Sequence, residues 1–262
     1  MSASIADTPQ MAAVDPVIQE RRERVFLVLA GVFICAMTML NIIGITRFVE
    51  VGGLALAVGV LPYPLTFLCT DLICELYGRK RANFLVTVGL GLNLFILGVL
   101  WLGNVLPAVP ADQQPPWQAI KLAEELFLPD GSSMTGTADL FQIIYACTAG
   151  AVFASMMAYL AAQYVDVQLF HFWKRLTKGK HLWLRNNFST LVSQLVDATM
   201  VITITFGATY LRGDITLQAM LLLIGSNYIF KMATALIDTG PFYFFTFKLR
   251  KYLQIDSQHQ FD

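Results

Sequence analysis

The chain has 262 residues, of which 56% are hydrophobic and 14% charged, and its mean hydropathy is +0.60; soluble domains carry about 25% charged residues, so lipid must solvate much of this surface. Formal net charge is zero, which gives no electrostatic footprint for nucleic acid. Cys35, Cys69, Cys74 and Cys147 lie in apolar stretches and form no C-x-x-C, so the expectation is small packing groups rather than disulfides or a zinc site.

Residues 1–20 are polar or small and lack the apolar run of a signal peptide, so a flexible cytoplasmic tail is expected there. A helix needs about 20 apolar residues to cross a hydrocarbon core of about 30 Å. Six stretches qualify, at approximately Val25–Thr46, Gly52–Tyr77, Ala82–Leu106, Leu140–Val165, Phe188–Leu211 and Leu217–Phe247. Their apolar runs are continuous, without the alternation of barrel strands. The expected fold class is therefore all-α. It is a polytopic membrane protein whose six-transmembrane-helix bundle fills residues 21–251, with residues 252–262 as a second cytoplasmic tail.

The first stretch carries Asn41 near its end. The second contains Pro62 and Pro64, which remove backbone donors and predict a proline-broken helix lining a cavity. Asp71 and Glu75 follow four residues apart, on one helical face. Pairing of Glu75 with Arg79 or Lys80 is the plainer alternative. The loop from Pro107 to Asp139 holds Pro107, Pro110, Pro115, Pro116 and Pro129, with a short helix expected around Trp117–Phe127. In the fourth stretch Gly150, Ala154, Ala158 and Ala162 recur every four residues, a spacing that lets helices approach closely. Residues Val165–Leu176, with Phe170, Phe172, Trp173 and Lys174, read as an amphipathic interfacial extension. The fifth stretch carries Ser193, Gln194 and Asp197. The sixth carries Asn227, Lys231 and Asp238, and Pro241 predicts a kink. Asp197 and Lys231 fall at similar depth on consecutive antiparallel helices, so they are expected to pair.

Lys and Arg alternate between the loops. Arg21, Arg22 and Arg24 precede the first helix, Arg79, Lys80 and Arg81 follow the second, and Lys174, Arg175, Lys178, Lys180 and Arg185 follow the fourth. Lys248, Arg250 and Lys251 close the sixth, and the other loops hold only Arg47, Lys121 and Arg212. By the positive-inside rule both termini face the cytoplasm, and the expected location is the cell inner membrane, in multi-pass form.

Ionisable groups at membrane depth are costly and usually face the bundle interior. No P-loop, H-E-x-x-H or G-x-S-x-G occurs. His171, His181 and His259 are expected outside the helices. No catalytic residue, metal site or cofactor is expected.

Several segments carry a resemblance. Pro64-Leu65-Thr66-Phe67 leads to Thr70-Asp71-Leu72 and Glu75-Leu76-Tyr77-Gly78. Ser155-Met156-Met157-Ala158-Tyr159 follows, with Gln163 and Asp166-Val167 beyond it. Ser189-Thr190-Leu191 precedes Asp197, and Tyr228-Ile229-Phe230-Lys231 precedes Pro241. In this order, over about residues 25–250, the chain resembles the queuosine precursor transporter (VUT) family. The resemblance implies import of 7-cyano-7-deazaguanine and 7-aminomethyl-7-deazaguanine, precursors of a modified tRNA nucleoside, or of a related deazapurine, and the leading reading of the mechanism is secondary transport. A deazaguanine offers ring and amine N–H donors and a carbonyl. Asp71, Glu75, Asn41, Gln194, Asp197, Asn227 and Lys231 could meet them, while Tyr63, Phe67 and Tyr228 could stack on the base. The expected partners are this small molecule, the lipid bilayer and, as an open alternative, further copies of the chain. The rival reading is a substrate-capture subunit of an ATP-driven complex for a small polar solute.

Overall fold

The computed structural model describes residues 15–110, 113–176 and 182–255. Seven α-helices and three two-stranded antiparallel ribbons make up the described chain. Six of its helical segments are long and apolar enough to cross a membrane. The expected six-span helical architecture is therefore observed.

Helix α1 runs Pro16–Ile42, earlier than the expected boundary at Arg21. Asp15 caps it by accepting a hydrogen bond from the Val17 N–H at 2.9 Å, and Pro16 opens it where no donor is needed. The chain then reverses through a hairpin, β1 (Phe48–Val51) and β2 (Leu54–Ala57). Gly52 and Gly53 form its two-residue turn with φ of +59° and +81°, a turn that favours glycine at both positions. This corrects the second expected helix, which does not begin at Gly52. Its span instead comprises a single 3-10 turn, Val58–Val60, and helix α2, Tyr63–Tyr77. The prolines stand at that junction, with Pro62 as the cap and Pro64 in the first turn. The 3-10 turn packs tightly on the end of α1. A Cβ on Gly59 would sit 2.6 Å from both the Gly44 Cα and the Leu40 carbonyl oxygen, so only glycine fits.

Gly78, at φ +86°, joins α2 to α3 (Arg79–Val105). The following loop is not the short helix expected over Trp117–Phe127. Strands β3 (Ala119–Lys121) and β6 (Thr137–Asp139) pair, as do β4 (Leu126–Phe127) and β5 (Ser133–Met134). Gly131 and Gly136, both at positive φ, help turn the chain back for this pairing. Arg212 holds the loop to the end of α5 by donating to the Leu128 carbonyl at 3.1 Å and lying over the Phe127 ring.

Helix α4 runs Leu140–Leu176 and α5 Leu182–Leu211. They form the most extensive helix pairing in the bundle. Ala154 and Ala158 are fully buried, as the small-residue stripe predicts. His171 lies within α4, not outside the helices, though beyond its membrane-spanning part, Leu140–Ala162. Of the expected interfacial extension, the side chains of Phe170, Trp173 and Lys174 lie outside the described residues, as do Lys178, Lys180, His181 and His259 altogether; Phe172 is exposed.

Helix α6 covers Leu217–Ile237 and α7 Thr239–Leu253. The break falls four residues before Pro241, whose ring has no N–H to offer the Ile237 carbonyl and would collide with it. Where α1 starts and α7 finishes, Arg22 donates to the Leu253 and Gln254 carbonyls at 3.2 and 3.1 Å. Tyr77 donates to the Arg22 carbonyl at 2.8 Å. The start of α1 and the end of α7 thus share one end of the bundle with the α2–α3 junction. A core of Phe33, Cys69, Ile73, Leu76, Leu85 and Leu253 backs this end. All four cysteines are free; Cys69 is buried, as expected, but Cys35 is exposed. Side chains such as Leu27, Phe95 and Leu236 are more than two-thirds exposed, at 72%, 67% and 77%. Apolar exposure spread along every spanning helix is the surface that lipid covers.

Candidate functional site

One cavity of about 510 Å³ opens inside the bundle, within the range of about 300–1,000 Å³ typical of small-molecule sites. Six helices and the hairpin region contribute to it. Asn41 comes from the last turn of α1, Asn93 from α3, and Ser155 and Tyr159 from α4. On α2 the i,i+4 pairs Tyr63/Phe67 and Thr66/Thr70 line one wall. On α5 the wall is Ser193, Gln194 and Asp197, and on α6 it is Asn227 and Lys231.

The interior is polar at a few points and apolar elsewhere. Lys231 and Asp197 form an ion pair, with side chains 6% and 17% exposed. This is the pairing expected from their depth. They are the charged residues among the described lining, so the cavity carries no formal net charge. The Lys231 ammonium also lies 5.0 Å from the centroid of the Tyr63 ring, over its face, a favourable cation–π placement. Tyr63 in turn donates a hydrogen bond to Gln194 Oε1 at 3.4 Å. Tyr63 and Phe67 meet edge to face at 4.5 Å. Asn41 Nδ2 donates to Asn93 Oδ1 at 2.8 Å. The side-chain oxygens of Asn41, Thr205 and Asn227 are buried without a hydrogen-bond partner among the described residues. Buried acceptors left unpaired are costly, and three around one cavity favour a ligand rich in N–H donors.

The structure therefore gathers Asn41, Tyr63, Phe67, Gln194, Asp197, Asn227 and Lys231 around one space. Asp71, Glu75 and Tyr228 do not line it. The reason for the two acids is helical drift. Each i,i+4 step rotates the side chain by about 40°, so Asp71 is turned about 80° from Tyr63, and Glu75 about 120°. Both are exposed. Glu75 forms an ion pair with Arg250 of α7, instead of the sequence neighbours Arg79 or Lys80. Asp238 caps α6 outside the cavity. Sequence reasoning missed Asn93, Thr66, Thr70, Tyr159 and Thr205 as lining residues. For Asn93 the signal was present, since it is an amide embedded in an apolar run like Asn41. Among the described residues no group of three or more His, Cys, Asp or Glu could hold a metal ion.

A profile of the family described as "Putative vitamin uptake transporter" matches residues 57–245. The chain belongs to this transporter family. The matched segment runs from the end of the hairpin to α7 and contains every cavity helix except α1. A curated relative from Bacillus subtilis (strain 168), named "Probable queuosine precursor transporter", is 28% identical over 199 residues, covering 74% of this chain and 73% of its own length. No solved structure matches the chain. The vitamin uptake transporter family and six helical segments long and apolar enough to span a membrane make this a multi-pass membrane transport protein.

Proposed function

We propose that the protein imports queuosine precursors across the cell inner membrane as a secondary transporter. The substrate is 7-cyano-7-deazaguanine, 7-aminomethyl-7-deazaguanine or a close deazapurine relative. Both termini face the cytoplasm; the start of α1 and the end of α7 meet at one end of the bundle, and the Arg and Lys clusters that flank them support this orientation. The observation that carries the substrate reading is the composition of the cavity. Aromatic rings, Tyr63 and Phe67, share the lining with amides and the Asp197–Lys231 pair, around a space large enough for a small bicyclic base. Stacking holds the flat ring, and the unpaired acceptors receive its N–H groups. The substrate name borne by the Bacillus subtilis relative agrees with this reading.

The direct contacts are assigned to Asn41, Tyr63, Phe67, Gln194, Asp197, Asn227 and Lys231. The test is uptake of labelled 7-cyano-7-deazaguanine at low concentration by cells that lack any other route for it. Cells expressing the chain should accumulate label, and unlabelled 7-aminomethyl-7-deazaguanine should compete. Accumulation equal to that of cells without the chain overturns the proposal.

A further inference from the structure

Asn41 and Asn93 interrupt the apolar runs Leu40-Asn41-Ile42 and Leu92-Asn93-Leu94. They are 2% and 4% exposed, and both line the cavity. An amide carries one carbonyl and one NH2 group. Joining α1 to α3 needs a single hydrogen bond, and the structure makes it from Asn41 Nδ2 to Asn93 Oδ1. That bond leaves the Asn41 carbonyl oxygen buried without a partner. It also leaves the Asn93 NH2 group with no hydrogen bond to any described residue. If the pair were only interhelical glue, a shorter hydroxyl residue could make that bond with its single O–H. The remaining groups are instead one acceptor and one donor, carried by bonded neighbours, at the wall of a cavity whose charges are already engaged with each other.

We propose that Asn41 and Asn93 form a specificity-determining edge that reads a lactam. The Asn41 carbonyl accepts a hydrogen bond from the ligand's ring N–H, and the Asn93 NH2 group donates to the adjacent ligand carbonyl. The inference rests on the reading that a deazaguanine occupies this cavity, and it names the residues that recognise the N–H/C=O side of that base. Rejection of flat bases that lack the carbonyl then follows, because the Asn93 donor would be left unpaired at the cavity wall. A site built to hydrogen-bond a polar group discriminates far more strongly against its loss than an apolar pocket does against a missing methylene.

The test is direct binding to the purified full chain, using 7-cyano-7-deazaguanine and its 6-deoxo analogue, in which hydrogen replaces the carbonyl oxygen and the adjacent ring nitrogen loses its hydrogen, so that both lactam groups are absent. The unaltered chain should bind the analogue about tenfold or more weakly. Asn93→Asp keeps the acceptor for the Asn41 N–H but removes the donor to the ligand. It should weaken the lactam about tenfold and the analogue by no more than about twofold. Asn93→Ala, which tolerates any difficulty in burying a carboxylate, should show the same ligand-dependent split. Equal weakening of both ligands in the variants would mark a merely structural pair and overturn the proposal. So would equal affinity of the unaltered chain for the two ligands, whatever the variants do. An unaltered chain that binds neither ligand overturns the functional reading itself, and the proposal with it.

Discussion

Removing one member of the Asp197–Lys231 pair leaves the other charged group inside the bundle. Breaking a buried pair costs about 3–5 kcal/mol, and the two ends of that range can be assigned. Lys231→Met leaves Asp197, whose side chain keeps 17% exposure toward the cavity, so a loss near about 3 kcal/mol is expected. Asp197→Asn leaves Lys231, at 6% exposure, nearly sealed, so the loss should approach about 5 kcal/mol. Either is a large share of a total stability of about 5–15 kcal/mol. The double variant removes both charges, and exchange of a buried pair for neutral groups is often close to neutral. Its stability should therefore exceed that of either single variant, which on these single losses requires a coupling of more than about 5 kcal/mol. Thermal melting of the detergent-purified chains, read together with the yield of folded protein, measures this. Single losses that simply add in the double variant would refute the pairing.

Three further outcomes follow from placement. Asp71→Asn should change ligand affinity by no more than about twofold, as for exposed positions away from a site; loss of binding would mean the cavity extends down α2. Gly59→Ala should destabilise by about 1–3 kcal/mol through overpacking against Gly44 and Leu40, while an unchanged melting temperature would mean the 3-10 turn does not pack on α1 this closely. With native cysteines replaced, a cysteine at Ser132 should react with an impermeant thiol reagent in intact cells and one at Gln254 should not; labelling at Gln254 would invert the orientation.

The six spans were legible because continuous apolar length is a strong signal, and lone charges at matching depth announced the Asp197–Lys231 contact. The hairpin was harder. Gly52-Gly53 is a turn signal, but Leu54–Val60 is an apolar run whose periodicity does not separate strand from helix. The ribbons of the loop between α3 and α4 depend on pairing between residues up to 20 positions apart, which local propensity does not encode. Asp71 and Glu75 show the limit of face arguments. They share a face with each other, yet small rotation per step carries that face off the cavity wall. The Glu75 partner, Arg250, is 175 residues away and is presented by a helix that exists as a separate segment because of Pro241.

The most direct test of a self-sufficient precursor transporter is uptake by sealed proteoliposomes containing only this chain. We expect saturable entry of labelled 7-cyano-7-deazaguanine without ATP, competed by the unlabelled base and lost in Asp197→Asn. Entry that requires ATP and a separate ATPase, or no entry at all while the folded chain is present, would contradict the account.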